Sequence, residues 1–99
     1  MHDMRIDFAF FAGDDLLTRG SINFDSPEPS VELNDDKGHS FHIVGNYGDP
    51  SCAVEIICLQ HQSRLYRANL DVPLHDSEDW ESIDLAGIHT LGFRCTQAT

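Results

Sequence analysis

The densest group of chemistry-bearing side chains in the sequence is an acidic run around its single tryptophan, Trp80. Carboxylates spaced along a surface can occupy the basic groove of a nucleic-acid-binding protein, because they reproduce the charge of a phosphate backbone. A tryptophan among them would anchor such a contact as it becomes buried. We therefore predict a partner-binding segment; the alternative is a solvated acidic loop with its tryptophan folded into the core. The residues of this segment are Asp76, Glu78, Asp79, Trp80, Glu81 and Asp84.

Motifs for nucleophilic catalysis and phosphate binding are missing from the chain. No G-x-S-x-G nucleophile turn occurs, and the glycines form neither a Walker loop nor a G-x-G-x-x-G turn. The cysteines have no protease-like context. We therefore predict a protein that is not an enzyme and binds no cofactor. Acid–base catalysis by paired carboxylates is the minor alternative, because such pairs carry no sequence motif.

Metal binding would have to come from the histidines or from the acidic loops. Zinc needs ligands brought together at short spacing, whereas His39 and His42 are three apart on an extended segment and point to opposite faces. The other histidines are scattered, and we interpret all six as ordinary polar or turn residues. Calcium prefers loop oxygens such as those of 14–15 and 35–36, but the segment 34–38 lacks the ligand pattern of an EF-hand. We predict no metal site.

The net charge limits the class of partner. Seventeen Asp and Glu stand against six Lys and Arg, which leaves −11 at pH 7. A field of this sign repels nucleic acids and anionic membranes and attracts basic proteins or cations. We therefore predict a basic protein partner, with no direct binding to nucleic acid or membrane. The alternative is that the charge serves only solubility.

Length and apolar content indicate one folded domain over residues 1–99. The first residues do not match a secretory signal, and no apolar stretch has the length of a membrane span, so we predict a cytoplasmic protein. Cys52 and Cys58 lie six residues apart on one predicted strand, roughly 20 Å, which is too far for a disulfide. Cys95 would meet one of them only if its strand lies alongside. We expect reduced thiols that fill the core.

Alternating apolar and polar residues are the dominant pattern, and turn residues interrupt it at short intervals. The pattern predicts a mainly β protein: an antiparallel β-sandwich or partly open barrel of about seven short strands, with at most one short helix. Gly38 is expected at the positive-φ position of a hairpin. The stretch 75–87 fits a capped helix and also a strand with Ile83 and Leu85 inward and a turn at 86–87; we favour an acidic loop or short turn that leads into a strand. The predicted strands are 4–12, 16–24, 31–33, 41–44, 52–60, 66–74 and 88–95.

Two of these strands are apolar on both faces. Phe11, Ile57 and Leu59 fall on the side that should be solvated if the opposite faces form the core. Either the segment 75–87 covers them, with Trp80 as the plug, or they form an apolar interface with a partner. We therefore keep a homodimer among the predicted associations.

The stretch of Trp80 and the residues 83–91 (IDLAGIHTL) resembles the last hairpin of jelly-roll carbohydrate-binding modules. In that family a tryptophan precedes a strand, a glycine turn and a strand of the His-Thr-Leu type. The resemblance implies a β-sandwich. The calcium ligands and the second sugar-stacking aromatic residue of the family have no matching positions in this sequence, so it supports the fold more than sugar binding.

Together these observations favour a non-enzymatic acidic binding or inhibitor protein that occupies a basic surface of a protein partner. Immunity proteins and small phage inhibitors of host defence act in this way, and the argument is one of class analogy. Two alternatives stay open. One is a ligand-binding β-sandwich for carbohydrate or calcium, and the other is a virion or assembly subunit whose function is the contact itself.

Overall fold

The computed structural model describes residues 4–24, 28–48 and 50–97. Within these ranges the strands form two antiparallel sheets of four, with the order β2-β1-β8-β7 in the first sheet and β3-β4-β5-β6 in the second. The predicted mainly β sandwich is confirmed, with eight strands where about seven were expected and no helix in the described ranges. The strands are β1 (Met4–Ala12), β2 (Asp15–Asn23), β3 (Ser30–Asn34), β4 (His39–Asn46), β5 (Ser51–Gln60), β6 (Ser63–Pro73), β7 (Glu81–Leu85) and β8 (His89–Gln97).

The additional strand is β7, in the segment that fitted two templates. Residues 74–80 form a loop before it, and Ala86 and Gly87 turn the chain into β8 with φ values of 58° and 69°. Such positive φ values are typical of the tight turns that join two antiparallel strands. The Gly87 N–H donates to Asp84 Oδ2 over 2.8 Å and fastens the turn. The favoured loop is therefore observed over 74–80 only, and residues 81–85 form a strand that the list of predicted strands did not include. The described residues contain no helix long and apolar enough to cross a membrane.

The turns between β3 and β4 and between β5 and β6 pack against each other at one end of the sandwich. Gly38 has φ 87°, as predicted for this hairpin. The His61 N–H donates to the Gly38 carbonyl over 3.0 Å. A methyl group on Gly38 would lie 2.4 Å from Cε1 of His61, so the imidazole fits only because residue 38 has no side chain.

The two inner faces bury one continuous core. Phe10 of β1 stacks on Phe41 of β4 across the sandwich, with ring centroids 4.0 Å apart, and both rings are fully buried. The alternation predicted for β5 is seen directly, since its inward side chains are all buried. These side chains are Cys52, Val54, Ile56 and Cys58.

All three cysteines are free and buried, as expected from their spacing and from the alternation. Cys52 and Cys58 belong to the second sheet and Cys95 to the first. Burial raises the pKa of Cys52 to about 11. Burial also raises the pKa values of Cys58 and Cys95. The thiols therefore fill space in the core and are poor nucleophiles at neutral pH.

Candidate functional site

The predicted partner-binding segment borders the solvent side of the first sheet. We call this side, together with Trp80, the Trp80 face. Strand alternation sends the outward side chains of β1, β2, β7 and β8 to it, and the register aligns them in rows across the sheet. One row is Asp84, Thr90, Phe11 and Leu16, and the next is Ser82, Gly92, Ala9 and Arg19.

An apolar depression of about 390 Å³ occupies the middle of the Trp80 face. Trp80 enters it from the β7 edge, Phe11 and Leu16 come from β1 and β2, and Gly92 contributes backbone without a side chain. Trp80 is 47% exposed and Leu16 is 50% exposed. The tryptophan therefore lies outside the core, and it covers this face only in part.

Arg94 of β8 contacts the ring of Trp80. Its guanidinium carbon lies 4.6 Å from the centroid of the Trp80 ring, a cation–π contact. Its Nε donates to Asp7 Oδ2 over 3.0 Å, and its Nη1 donates to the Glu78 carbonyl over 3.4 Å. The acidic run contains no basic residue in sequence, but the fold places one against its tryptophan. Sequence reasoning missed Arg94 because it lies fourteen positions along the chain, on another strand.

The five acids of the segment divide into two groups. Asp84 accepts from the Gly87 N–H, and Asp76 Oδ1 accepts from the Gln97 N–H over 3.1 Å, so both carboxylates hold the local backbone. All five residues are exposed, but the carboxylates of the other three make no hydrogen bond or ion pair within the part of the chain that the structure describes. These three are Glu78, Asp79 and Glu81.

The structure does not bring the three predicted apolar interface residues together. Phe11 lies on the Trp80 face. Ile57 and Leu59 point outward from the second sheet, on the opposite side of the sandwich. In register, Ile57 is flanked by His42 and Arg67. Phe11 therefore belongs with Trp80, so the three residues do not form one continuous interface, and the homodimer stays a prediction.

A buried polar cluster links the two sheets at the end that carries the hairpin turns. Asp35 Oδ2 accepts from His39 Nδ1 over 2.7 Å, and Asp35 Oδ1 accepts from two backbone N–H groups, at Lys37 and His39. The His39 and His89 rings meet edge to face, 4.9 Å apart. His89 Nδ1 lies 2.8 Å from the Tyr66 hydroxyl.

The interpretation of all six histidines as ordinary polar or turn residues is wrong for His39 and His89, which are 9% and 4% exposed. Alternation with apolar neighbours was the available signal, because both imidazoles fall on the inward faces of β4 and β8. The cluster consists of two hydrogen-bonded pairs, Asp35 with His39 and Tyr66 with His89, which meet at the contact between the two rings.

Burial and hydrogen bonding together set the protonation of this cluster. It raises the pKa of Tyr66, with a further contribution from Cys58. Burial and the neighbouring His39 lower the pKa of His89, against an opposing effect of Asp35. Burial alone would raise the pKa of Asp35, but the hydrogen bonds from His39 and Lys37 outweigh it and hold this pKa below 3.8. At neutral pH the cluster therefore contains a carboxylate, a neutral His89 and a neutral hydroxyl.

In the acidic loops considered for calcium, the Asp35 carboxylate accepts hydrogen bonds from donors of its own hairpin. Over residues 4–24, 28–48 and 50–97, no group of three or more His, Cys, Asp or Glu side chains is arranged to hold a metal ion.

Comparison with protein-family models, with curated proteins and with solved structures finds no match to this chain.

Proposed function

We propose that this protein is a non-enzymatic binding protein that attaches, through the Trp80 face and the carboxylates beside it, to a basic surface of a protein partner. The observation that carries the proposal is a half-exposed tryptophan beside an apolar depression, next to three carboxylates that have no partner among the described residues. Inhibition of the partner is the expected consequence where the covered surface is functional.

The tryptophan has the features of an interface anchor. Tryptophan is enriched among the residues that carry most of the binding energy at protein interfaces. The guanidinium of Arg94 stacks on Trp80, and the guanidinium is itself held by Asp7. The indole is thereby oriented before a partner arrives, which lowers the entropic cost of ordering it on binding.

The carboxylates supply attraction and orientation. Glu78, Asp79 and Glu81 are exposed on a chain of net charge −11. Carboxylates of this kind increase the association rate with a basic partner, and their effect falls as salt screens the charges. Asp76 and Asp84 hold backbone N–H groups instead, so their removal would disturb the loop rather than the contact.

Two triple variants of equal net charge test the proposal. In the first, Glu78, Asp79 and Glu81 are changed to Lys. In the control, Glu28, Asp36 and Asp71, which are exposed elsewhere, are changed to Lys. Each reversal shifts the charge by two, so both variants go from −11 to −5.

Wild type and both variants are immobilised, and basic proteins are captured at about 50 and 200 mM salt. We expect one set of partners on wild type and control, released by the higher salt, and absent from the first variant. Equal capture by the two triple variants would show that only net charge matters and would overturn the assignment to the Trp80 face.

One observation favours a second candidate, a carbohydrate-binding sandwich. Phe11 and Trp80 border the same depression, so two aromatic rings are available for a sugar. A glycan array, with Trp80→Ala as the control, would show binding that is lost in the variant and unaffected by salt. We further propose a cytoplasmic setting for this chain, in keeping with its three free thiols.

A further inference from the structure

We propose that the depression on the Trp80 face is a socket for one aromatic side chain of the basic partner, with lysine or arginine residues next to it in the partner sequence. This inference rests on the proposed function and names the chemistry of the partner. It makes the contact selective, since charge attraction alone would accept many basic surfaces.

The shape of the socket comes from a missing side chain. A methyl group on Gly92 would lie 3.5 Å from Trp80 Cε3 and 3.7 Å from Phe11 Cε2. The two rings therefore border the same space above the Gly92 backbone, at ordinary contact distance. Ala9 is the neighbour of Gly92 in register and is only 7% exposed, so its side chain protrudes little into the depression. A flat ring can enter where any larger residue at position 92 would fill the space.

Arg19 explains why the occupant is aromatic rather than aliphatic. It lines the depression and pairs in register with Ala9. In contrast to Arg94, its guanidinium makes no ion pair or hydrogen bond within the described residues. A guanidinium beside an apolar site stacks well on an aromatic face and gains nothing comparable from an alkyl chain. Trp80 and Phe11 add edge or offset contacts with the same ring.

Charge determines what surrounds the aromatic residue in the partner. Glu81 lines the depression itself, and Glu78 and Asp79 precede Trp80 in the adjoining loop. These three carboxylates outnumber the one guanidinium of Arg19 in the depression, so Lys or Arg next to the ring would be attracted more strongly than a carboxylate. We expect the aromatic residue in a segment of the form basic-aromatic-basic.

Three capped pentapeptides test this directly: Arg-Lys-X-Lys-Arg with phenylalanine, cyclohexylalanine or alanine at X. Binding is followed by amide chemical shifts of the isotopically labelled protein, which report weak association. We expect the phenylalanine peptide to bind roughly tenfold more tightly than the alanine peptide. We expect it to bind about two- to fivefold more tightly than the cyclohexylalanine peptide, because only an aromatic ring stacks on Arg19. The shifts should centre on Ala9, Gly92 and the Trp80 indole.

Two variants test the space in the depression and the stacking on Arg19 separately. Gly92→Leu fills the depression and should reduce the phenylalanine peptide to the affinity of the alanine peptide. Arg19→Ala leaves the depression open and should remove the preference for phenylalanine over cyclohexylalanine, while the loss of one positive charge should tighten the binding of all three peptides alike. Because Arg19 is exposed at the edge strand β2, this second variant keeps the fold even if Gly92→Leu does not.

The possible outcomes distinguish the aromatic socket from the proposed binding to a basic partner. Equal binding of the phenylalanine and alanine peptides to wild type would overturn the socket and leave the basic partner in place. Failure of all three peptides at low salt would overturn both. Shifts of Gly92 and Trp80 by a neutral oligosaccharide, with none from the peptides, would also overturn both and would favour the carbohydrate-binding candidate.

Discussion

The titration of His89 offers a quantitative test of the buried polar cluster. Its pKa is lowered from 6.5 by burial and by His39, against an opposing effect of Asp35. The unfolded chain takes up this proton near its ordinary pKa, whereas the folded protein resists it. The stability that depends on a neutral His89 is therefore fully present above about pH 6.5 and is lost as the pH falls toward the lower folded pKa.

Linkage sets the size of this loss. A proton bound by the unfolded state alone changes the free energy of unfolding by about 1.4 kcal/mol per pH unit. Between about pH 7.5 and 5.5, one histidine with an unfolded pKa near 6.5 therefore contributes at most about 1.4 kcal/mol. The limit is reached if folded His89 stays neutral throughout. In urea this corresponds to a fall of about 0.5 to 1.4 M in the unfolding midpoint.

The assay is urea unfolding, followed by circular dichroism at both pH values, of wild type, His89→Asn and His75→Asn. Asparagine offers Tyr66 a hydrogen-bonding atom near the position of Nδ1 but does not titrate. We expect His89→Asn to lose less stability on acidification than wild type, by up to the amount above. His75 is exposed in the loop 74–80, and its variant should follow wild type. Equal losses of stability on acidification for wild type and His89→Asn would refute a contribution from the titration of His89.

Three further predictions concern the fold. Asp35→Asn should lower the free energy of unfolding by about 1.5 to 3 kcal/mol, because the carboxylate accepts three hydrogen bonds. The control Asp36→Asn, at an exposed position, should change it by no more than about 0.5 kcal/mol, and equal urea midpoints for the two variants would contradict the prediction. Phe10→Ala should cost about 3 to 5 kcal/mol and Phe11→Ala clearly less, since only Phe10 lies in the core, and similar melting temperatures would be the contrary result. All three cysteine thiols should resist an aromatic disulfide reagent in the folded protein and should react after unfolding. Rapid reaction of any one thiol in the native state would contradict the burial of that cysteine.

Much of the fold could be predicted from alternation, because period-two patterns and turn residues are local properties of the sequence. The first strand was predicted at 4–12 and is observed at Met4–Ala12. Strand β7 was harder to delimit. Its five residues carry a single inward pair, Ile83 and Leu85, after an acidic run that also resembles the first turn of a helix.

The surroundings of Trp80 depend on pairing between distant strands, which a single sequence does not show. Arg94 and Phe11 reach Trp80 only because β8 pairs with both β1 and β7. Which of the five acids holds the backbone likewise depends on N–H groups that come close to the carboxylates only in the folded chain. Local composition could identify the acidic segment, but it could not separate the carboxylates that hold the loop from those that have no partner among the described residues.

The buried cluster illustrates a different limit. Alternation places His39 and His89 on inward faces, so their burial could have been predicted. Their contact with each other could not, since it requires knowing that the starts of β4 and β8 lie at the same end of the sandwich. Apolar surroundings make buried imidazoles costly unless they find partners. Asp35 and Tyr66, from two further segments, supply those partners.

The central claim is that a basic partner binds at the Trp80 face, and the single tryptophan allows a direct measurement. Protein labelled with 5-fluorotryptophan gives one fluorine resonance, from Trp80. Titration with the captured basic partner, monitored to saturation, should move this resonance in wild type and in the control triple variant. The same resonance should stay in place when the partner is added to the variant with lysine at positions 78, 79 and 81. A saturated complex of wild type in which the Trp80 resonance has not moved would contradict the claim.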